Sequence, residues 1–167
     1  MNWLNRILNK EMKTESRDDE KTLAEIKFSM FDQKAGENNF RFMLNENLID
    51  KKQRTEYNYC WLISLQVFEK NQDGMPTEIE NEYLMTVFQK LISRILEENN
   101  IKIVGTITAD VFEIFFYALE KDSSKIGDCI VESKNDLEDR HERFIQWSGK
   151  KDTEWNTVSD LYELFFK

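Results

Sequence analysis

The sequence predicts an α+β domain: an antiparallel sheet with helices on one face, preceded by a β-hairpin and closed by a C-terminal helix. Between Thr77 and Asn99 apolar residues recur at the helical period. From Ile101 to Leu119 they recur at the strand period. From Tyr57 to Ser148 the elements read strand, helix, strand, strand, helix, strand. That is the order of the split βαβ, ferredoxin-like unit.

The chain divides into residues 1–23, a short helix and charged linker, and residues 24–167, one α+β domain. Trp3, Leu4, Ile7 and Leu8 share one side of two helical turns. The stretch Lys10–Thr22 is densely charged and reads as solvated. Ala24, Ile26, Phe28 and Met30 alternate as a strand, Lys34–Asn39 reads as a loop, and Phe40, Phe42 and Leu44 alternate again, which predicts a hairpin. Asn45–Glu56 reads as a loop.

Tyr57–Glu69 is the longest strand candidate, with Tyr59, Trp61, Ile63, Leu65 and Val67 on one face and Cys60, Leu62 and Phe68 on the other. Asn71–Pro76 is a turn. Thr77 and Glu80 then fit a capping box for a helix about 30 Å long. Its stripe is Ile79, Tyr83, Leu84, Val87, Phe88, Leu91, Ile92, Ile95 and Leu96.

Ile101, Ile103, Gly105 and Ile107 alternate with Lys102, Val104, Thr106 and Thr108. Ala109-Asp110 is the turn to Val111–Leu119, where Phe112, Ile114 and Phe116 oppose Val111, Phe115 and Tyr117. Apolar residues on both faces predict a central strand covered on both sides. Ser124–Ser133 reads as a helix with Ile126, Cys129 and Ile130 inward, although Gly127 weakens it. Glu142–Ser148 reads as a strand and Gly149–Asp152 as a turn. Asp152 or Thr153 can cap a last helix, Glu154–Phe166, with Trp155, Val158, Leu161, Tyr162 and Phe165 on one face. The second sheet face then needs cover from the hairpin, the last helix or a partner.

Thirty-two acidic against 23 basic residues give a net charge of -9, which argues against nucleic-acid binding. No run approaches the ~20 apolar residues that span a bilayer, and residues 1–8 lack the apolar core of a signal peptide. The expectation is a cytoplasmic protein, with Cys60 and Cys129 as reduced, buried thiols. Neither cysteine has a partner at metal spacing, and no nucleophile-elbow, phosphate-loop or zinc-protease motif is present. The sole histidine, His141, lies in the charged run Glu138-Asp139-Arg140-His141-Glu142 and reads as a surface residue. No cofactor, metal or catalytic residue is assigned.

Several stretches resemble one bacterial family. Asp73-Gly74-Met75-Pro76 before an acidic helix, Val104-Gly105-Thr106-Ile107-Thr108 and Phe112-Glu113-Ile114-Phe115-Phe116-Tyr117 are similar to domain-of-unknown-function family 695. Lys151-Asp152-Thr153-Glu154-Trp155 before Leu161-Tyr162 resembles that family's close, and the likeness covers roughly Ala24 to Phe166. The family often has Gly then Arg in the hairpin turn, where this chain has Ala109-Asp110-Val111. Some members are fused to a domain similar to the regulator of ribonuclease E activity B, a ferredoxin-like protein inhibitor. The resemblance implies an α+β domain and regulation by protein binding; it carries no catalytic residues.

The acidity, the lack of catalytic motifs and this resemblance together predict a non-enzymatic interaction protein. It is expected to be an inhibitor or immunity-type protein with a basic protein partner. The candidate contacts are Glu78, Glu80 and Glu82 at the helix start and Glu138, Asp139 and Glu142 near His141. The alternatives are an enzyme with a sheet-face pocket, and a homodimer joined through the open sheet face that binds a small ligand.

Overall fold

The computed structural model describes residues 26–47, 55–99, 101–138 and 145–165, with side chains for all of these except 98 and 134–138. The expected segment 1–23 and most of the Asn45–Glu56 loop lie outside them. Six strands are described: β1 (Phe28–Ala35), β2 (Asn38–Asn45), β3 (Tyr59–Gln66), β4 (Ile101–Thr108), β5 (Val111–Ala118) and β6 (Ile145–Lys151). The helices are α1 (Glu78–Glu98), α2 (Ser123–Glu138) and α3 (Asn156–Phe165).

The strands form one sheet in the order β1-β2-β4-β5-β3-β6, and every pairing is antiparallel. Within it β6-β3-β5-β4 is compatible with the split βαβ arrangement, with β3 and β5 central. The N-terminal hairpin does not cover a face. Its β2 adds to the free edge of β4, so the hairpin widens the sheet instead.

Helices α1 and α2 cover the first sheet face. Leu84, Val87, Phe88, Leu91, Ile92 and Ile95 of α1, with Ile126, Cys129 and Ile130 of α2, pack on Trp61, Ile63, Leu65, Phe112, Ile114 and Phe116. The expected inward residue Ile79 is 75% exposed. Glu80 takes the inward position in the first turn, because its carboxylate accepts from the Phe68 N–H at 2.8 Å. The Thr77 hydroxyl still caps, accepting from Glu80 N–H at 3.3 Å.

The last helix covers part of the second face. Val158 and Tyr162 of α3, with Trp155, pack on Phe42, Leu44, Cys60, Val104, Phe115 and Tyr117. Phe165 stacks on Phe31, with centroids 4.5 Å apart, and the Tyr162 hydroxyl donates to Asn45 O at 2.9 Å. Strand β5 is therefore covered on both faces along Phe115–Ala118, while its Val111–Glu113 end stays open on the second face. The open sheet face expected for a homodimer is thereby reduced to the part that α3 leaves uncovered.

Four local expectations change. A β-bulge between Ile103 and Gly105 reverses the alternation of β4, so Ile107 joins the second face while Thr106 and Thr108 are buried. The first hairpin turns in only two residues, with Gly36 at φ 65, so Lys34 and Asn39 belong to strands. Gly149 lies in β6, not in a turn: it pairs with Trp61, and an added Cβ would sit 2.6 Å from the Tyr59 ring. Finally, the last helix starts at Asn156, not Glu154, because Trp155 holds a left-handed φ of 57. That conformation is fixed by a stack on Tyr117, centroids 3.9 Å apart, and by an indole N–H donating to Tyr57 O at 2.7 Å.

Candidate functional site

The half of the second sheet face that lies away from α3 forms a groove of about 620 Å³. Three pieces distant in sequence build it: the β1–β2 hairpin (Lys34, Glu37 to Phe40), the loop Gln72–Gly74, and the β4–β5 hairpin (Ile107, Ala109 to Val111, Glu113). Its size falls within the range of ligand pockets.

Each wall is held in place. In the 71–75 loop, Asn71 Oδ1 accepts from the N–H groups of Asp73 (2.9 Å) and Met75 (3.1 Å), and Gly74 turns the chain at φ 77. Asn39 Nδ2 donates to Asp73 O at 2.8 Å, which ties this loop to the hairpin across the sheet end. Asp110 is fixed by an ion pair with Lys70 at 2.6 Å, and its carbonyl accepts from Val67 N–H at 3.4 Å.

Glu113 lies within the apolar part of the groove. On β5 it faces Ser64 of β3 and Ile107 of β4 across the sheet, with Val111 and Phe115 two residues away on the same side. Burial raises its carboxyl above the usual carboxylate range. Among the described residues its carboxylate has no hydrogen-bond or ion-pair partner. The lining holds four carboxylates (Glu37, Asp73, Asp110, Glu113) and one ammonium, Lys34. Even with Lys70 neutralising Asp110, the balance is two negative charges. Such a surface suits a cation.

The expected acidic contacts lie elsewhere. Glu78 and Glu82 are exposed on α1, the helix layer behind the sheet. Glu80 is 3% exposed and its carboxylate accepts from Phe68 N–H, so it is turned into the fold and not toward solvent as a candidate contact would be. The side chain of Glu138, and all of Asp139, His141 and Glu142, lie outside the described residues. Glu113 was the residue that sequence reasoning passed over. Its signal was present: it is the one charged residue in the apolar run Val111–Leu119.

A second polar cluster sits under α3. Asp152 Oδ1 accepts from Asn156 N–H at 2.9 Å, and Oδ2 accepts from Thr157 N–H (2.9 Å), Thr157 Oγ1 (2.6 Å) and Tyr117 Oη (2.7 Å). Its acceptors are taken by the chain itself, as a helix cap requires. Cys60 beside it is 2% exposed, and burial raises its thiol above the ordinary value, which suits a core thiol better than a nucleophile. Cys129 is likewise buried and outside any disulfide among the described residues. Among the described residues no three His, Cys, Asp or Glu side chains are placed to hold a metal ion, and no helix is long and apolar enough to cross a membrane.

Sheet, helices and groove define an α+β domain with an acidic cleft on one sheet face. The chain belongs to the family of unknown function DUF695, whose model matches residues 27–162. No curated protein matches it.

Proposed function

We propose that this chain is a non-enzymatic interaction domain that binds a basic protein partner in the sheet-face groove. The observation that carries this reading is Glu113, an unpartnered and partly buried carboxylate in a groove with an acidic rim. A lone half-buried carboxylate weakens a fold, and a cationic partner removes that cost. The net charge of -9 adds long-range attraction, which raises the rate of encounter with a basic protein. An inhibitor or immunity-type role in the cytoplasm is the version we favour, with a basic toxin such as a nuclease as the blocked partner. The family resemblance, which implies that some members are fused to a domain similar to a ribonuclease regulator, is in keeping with that choice.

Affinity capture from the protein's own cells, followed by titration calorimetry with the purified partner, tests the reading. The expected result is one stoichiometric basic protein whose affinity falls with added salt and with Asp73→Lys. Capture of no basic protein, or an affinity indifferent to both changes, would overturn it.

A second reading is a small-ligand or enzymatic site in the same groove. The raised Glu113 carboxyl favours it, since a protonatable acid in a cleft is what general acid catalysis uses. Turnover or binding of a small molecule that disappears in Glu113→Gln, without any protein partner, would select this reading.

A further inference from the structure

We infer that the groove is a socket for one lysine or arginine side chain, presented on an exposed segment of the partner, with Glu113 as its counter-ion. This rests on the interaction-domain reading and specifies what the groove recognises.

The groove's chemistry is graded. Its rim carries exposed polar groups: Glu37 and Asp73, with Asn38 and Gln72 beside them. Its wall is apolar, formed by Phe40, Ile107 and Val111, the last 39% exposed. Glu113 stands among these apolar residues, directly across from Ile107 and two residues from Val111 on the same face of the sheet. A long aliphatic stem ending in a cation suits that juxtaposition: methylenes against Phe40, Ile107 and Val111, charge at the Glu113 carboxylate beside them.

Other occupants fit less well. An anion meets a net negative lining. A purely apolar side chain would take water from Glu113 and give nothing back, which is unfavourable for an ionised carboxylate. A metal ion calls for several converging oxygen ligands, and no such group occurs among the described residues.

The two kinds of carboxylate respond differently to salt. Glu37 and Asp73 are exposed, so their attraction is screened. Glu113 is partly buried and its contact is short-range, so its contribution persists at high salt.

The probes are three capped tripeptides, glycine-X-glycine, with X as lysine, arginine or norleucine, titrated into isotopically labelled protein and followed by amide shifts. Lysine or arginine is expected to shift Ile107, Val111 and Glu113, and norleucine to leave them in place. Comparison of the two cationic peptides decides which head group is preferred. Glu113→Gln, a neutral near-isostere, is expected to weaken binding about tenfold or more at both low and high salt. Glu37→Gln and Asp73→Asn are expected to weaken it only at low salt. Equal shifts with norleucine, no shifts with any peptide, or unchanged binding in Glu113→Gln would each overturn the socket. A protein partner that binds normally to Glu113→Gln leaves the interaction reading standing without it. Peptide shifts at Glu113 with no protein partner do the reverse.

Discussion

The Tyr117 hydroxyl donates to Asp152 Oδ2 at 2.7 Å, and through that bond the central strand β5 holds the start of α3. Asp152 is 7% exposed and also caps the helix through the Asn156 and Thr157 N–H groups. Asp152→Ala removes the cap and strands a buried hydroxyl, so it should cost about 2–4 kcal/mol. Tyr117→Phe removes donor and need together and should cost about 1 kcal/mol. Denaturant titrations of both single variants and the double variant should show a coupling of about 1–2 kcal/mol. Strict additivity would mean that the bond contributes nothing.

The same residue sets an acid limb. Burial alone would raise the Asp152 carboxyl, but hydrogen bonds from the Thr157 side chain and backbone, Tyr117 and Asn156 hold it down at about 2, against an ordinary 3.8. A folded value below the unfolded one means that the contribution is complete above about 3.8 and is lost as pH falls through about 2. The loss should be about 2 kcal/mol. Stability measured against pH should therefore be flatter in this window for Asp152→Asn, which carries no titrating group.

Gly105 allows β2 to approach β4. It sits at φ 150, and an added Cβ would lie 1.9 Å from Met43 O and 3.0 Å from Leu44 Cα. Both obstacles are backbone, so neither can swing aside. Gly105→Ala should cost about 3 kcal/mol or more and should detach the β1–β2 hairpin first. Hydrogen exchange checks this: protection should fall in Phe42–Leu44 before it falls in β3 or β5. Uniform loss across the sheet would contradict it.

Glu113 should lower stability in the unbound protein. Its carboxyl is raised by burial above 4.5, so charging it opposes folding. The penalty is absent below the unfolded value, grows as pH rises through the folded one, and is complete above that. Glu113→Gln should therefore raise the melting midpoint at pH 7 slightly and leave it unchanged in acid. A lower midpoint at pH 7 would show that the carboxylate is already paired.

Periodicity along the chain was enough to locate α1, α2 and the two-faced strand β5, whereas the structure had to choose Asp152 over Thr153 as the cap and the last helix over the hairpin as the cover of Phe115 and Tyr117. The features that periodicity located are local: a helix stripe or a strand face depends on residues two to four positions apart. The same local logic misassigned Ile79 and Ile107. The first yields to Glu80, whose carboxylate is drawn inward by the Phe68 N–H, and the second to a bulge where β4 meets Met43 and Leu44 of β2. Gly149 looked like a turn because its need for glycine comes from Tyr59 and Trp61 across the sheet. The groove was the least legible part. Its three walls come from residues 34–40, 72–74 and 107–113, and only the antiparallel pairing of β2 with β4 and β5 with β3 brings them around Glu113. A strand's apolar period says which way a side chain points, but it carries no information on which distant strand will lie beside it, and that pairing is what makes a surface into a site.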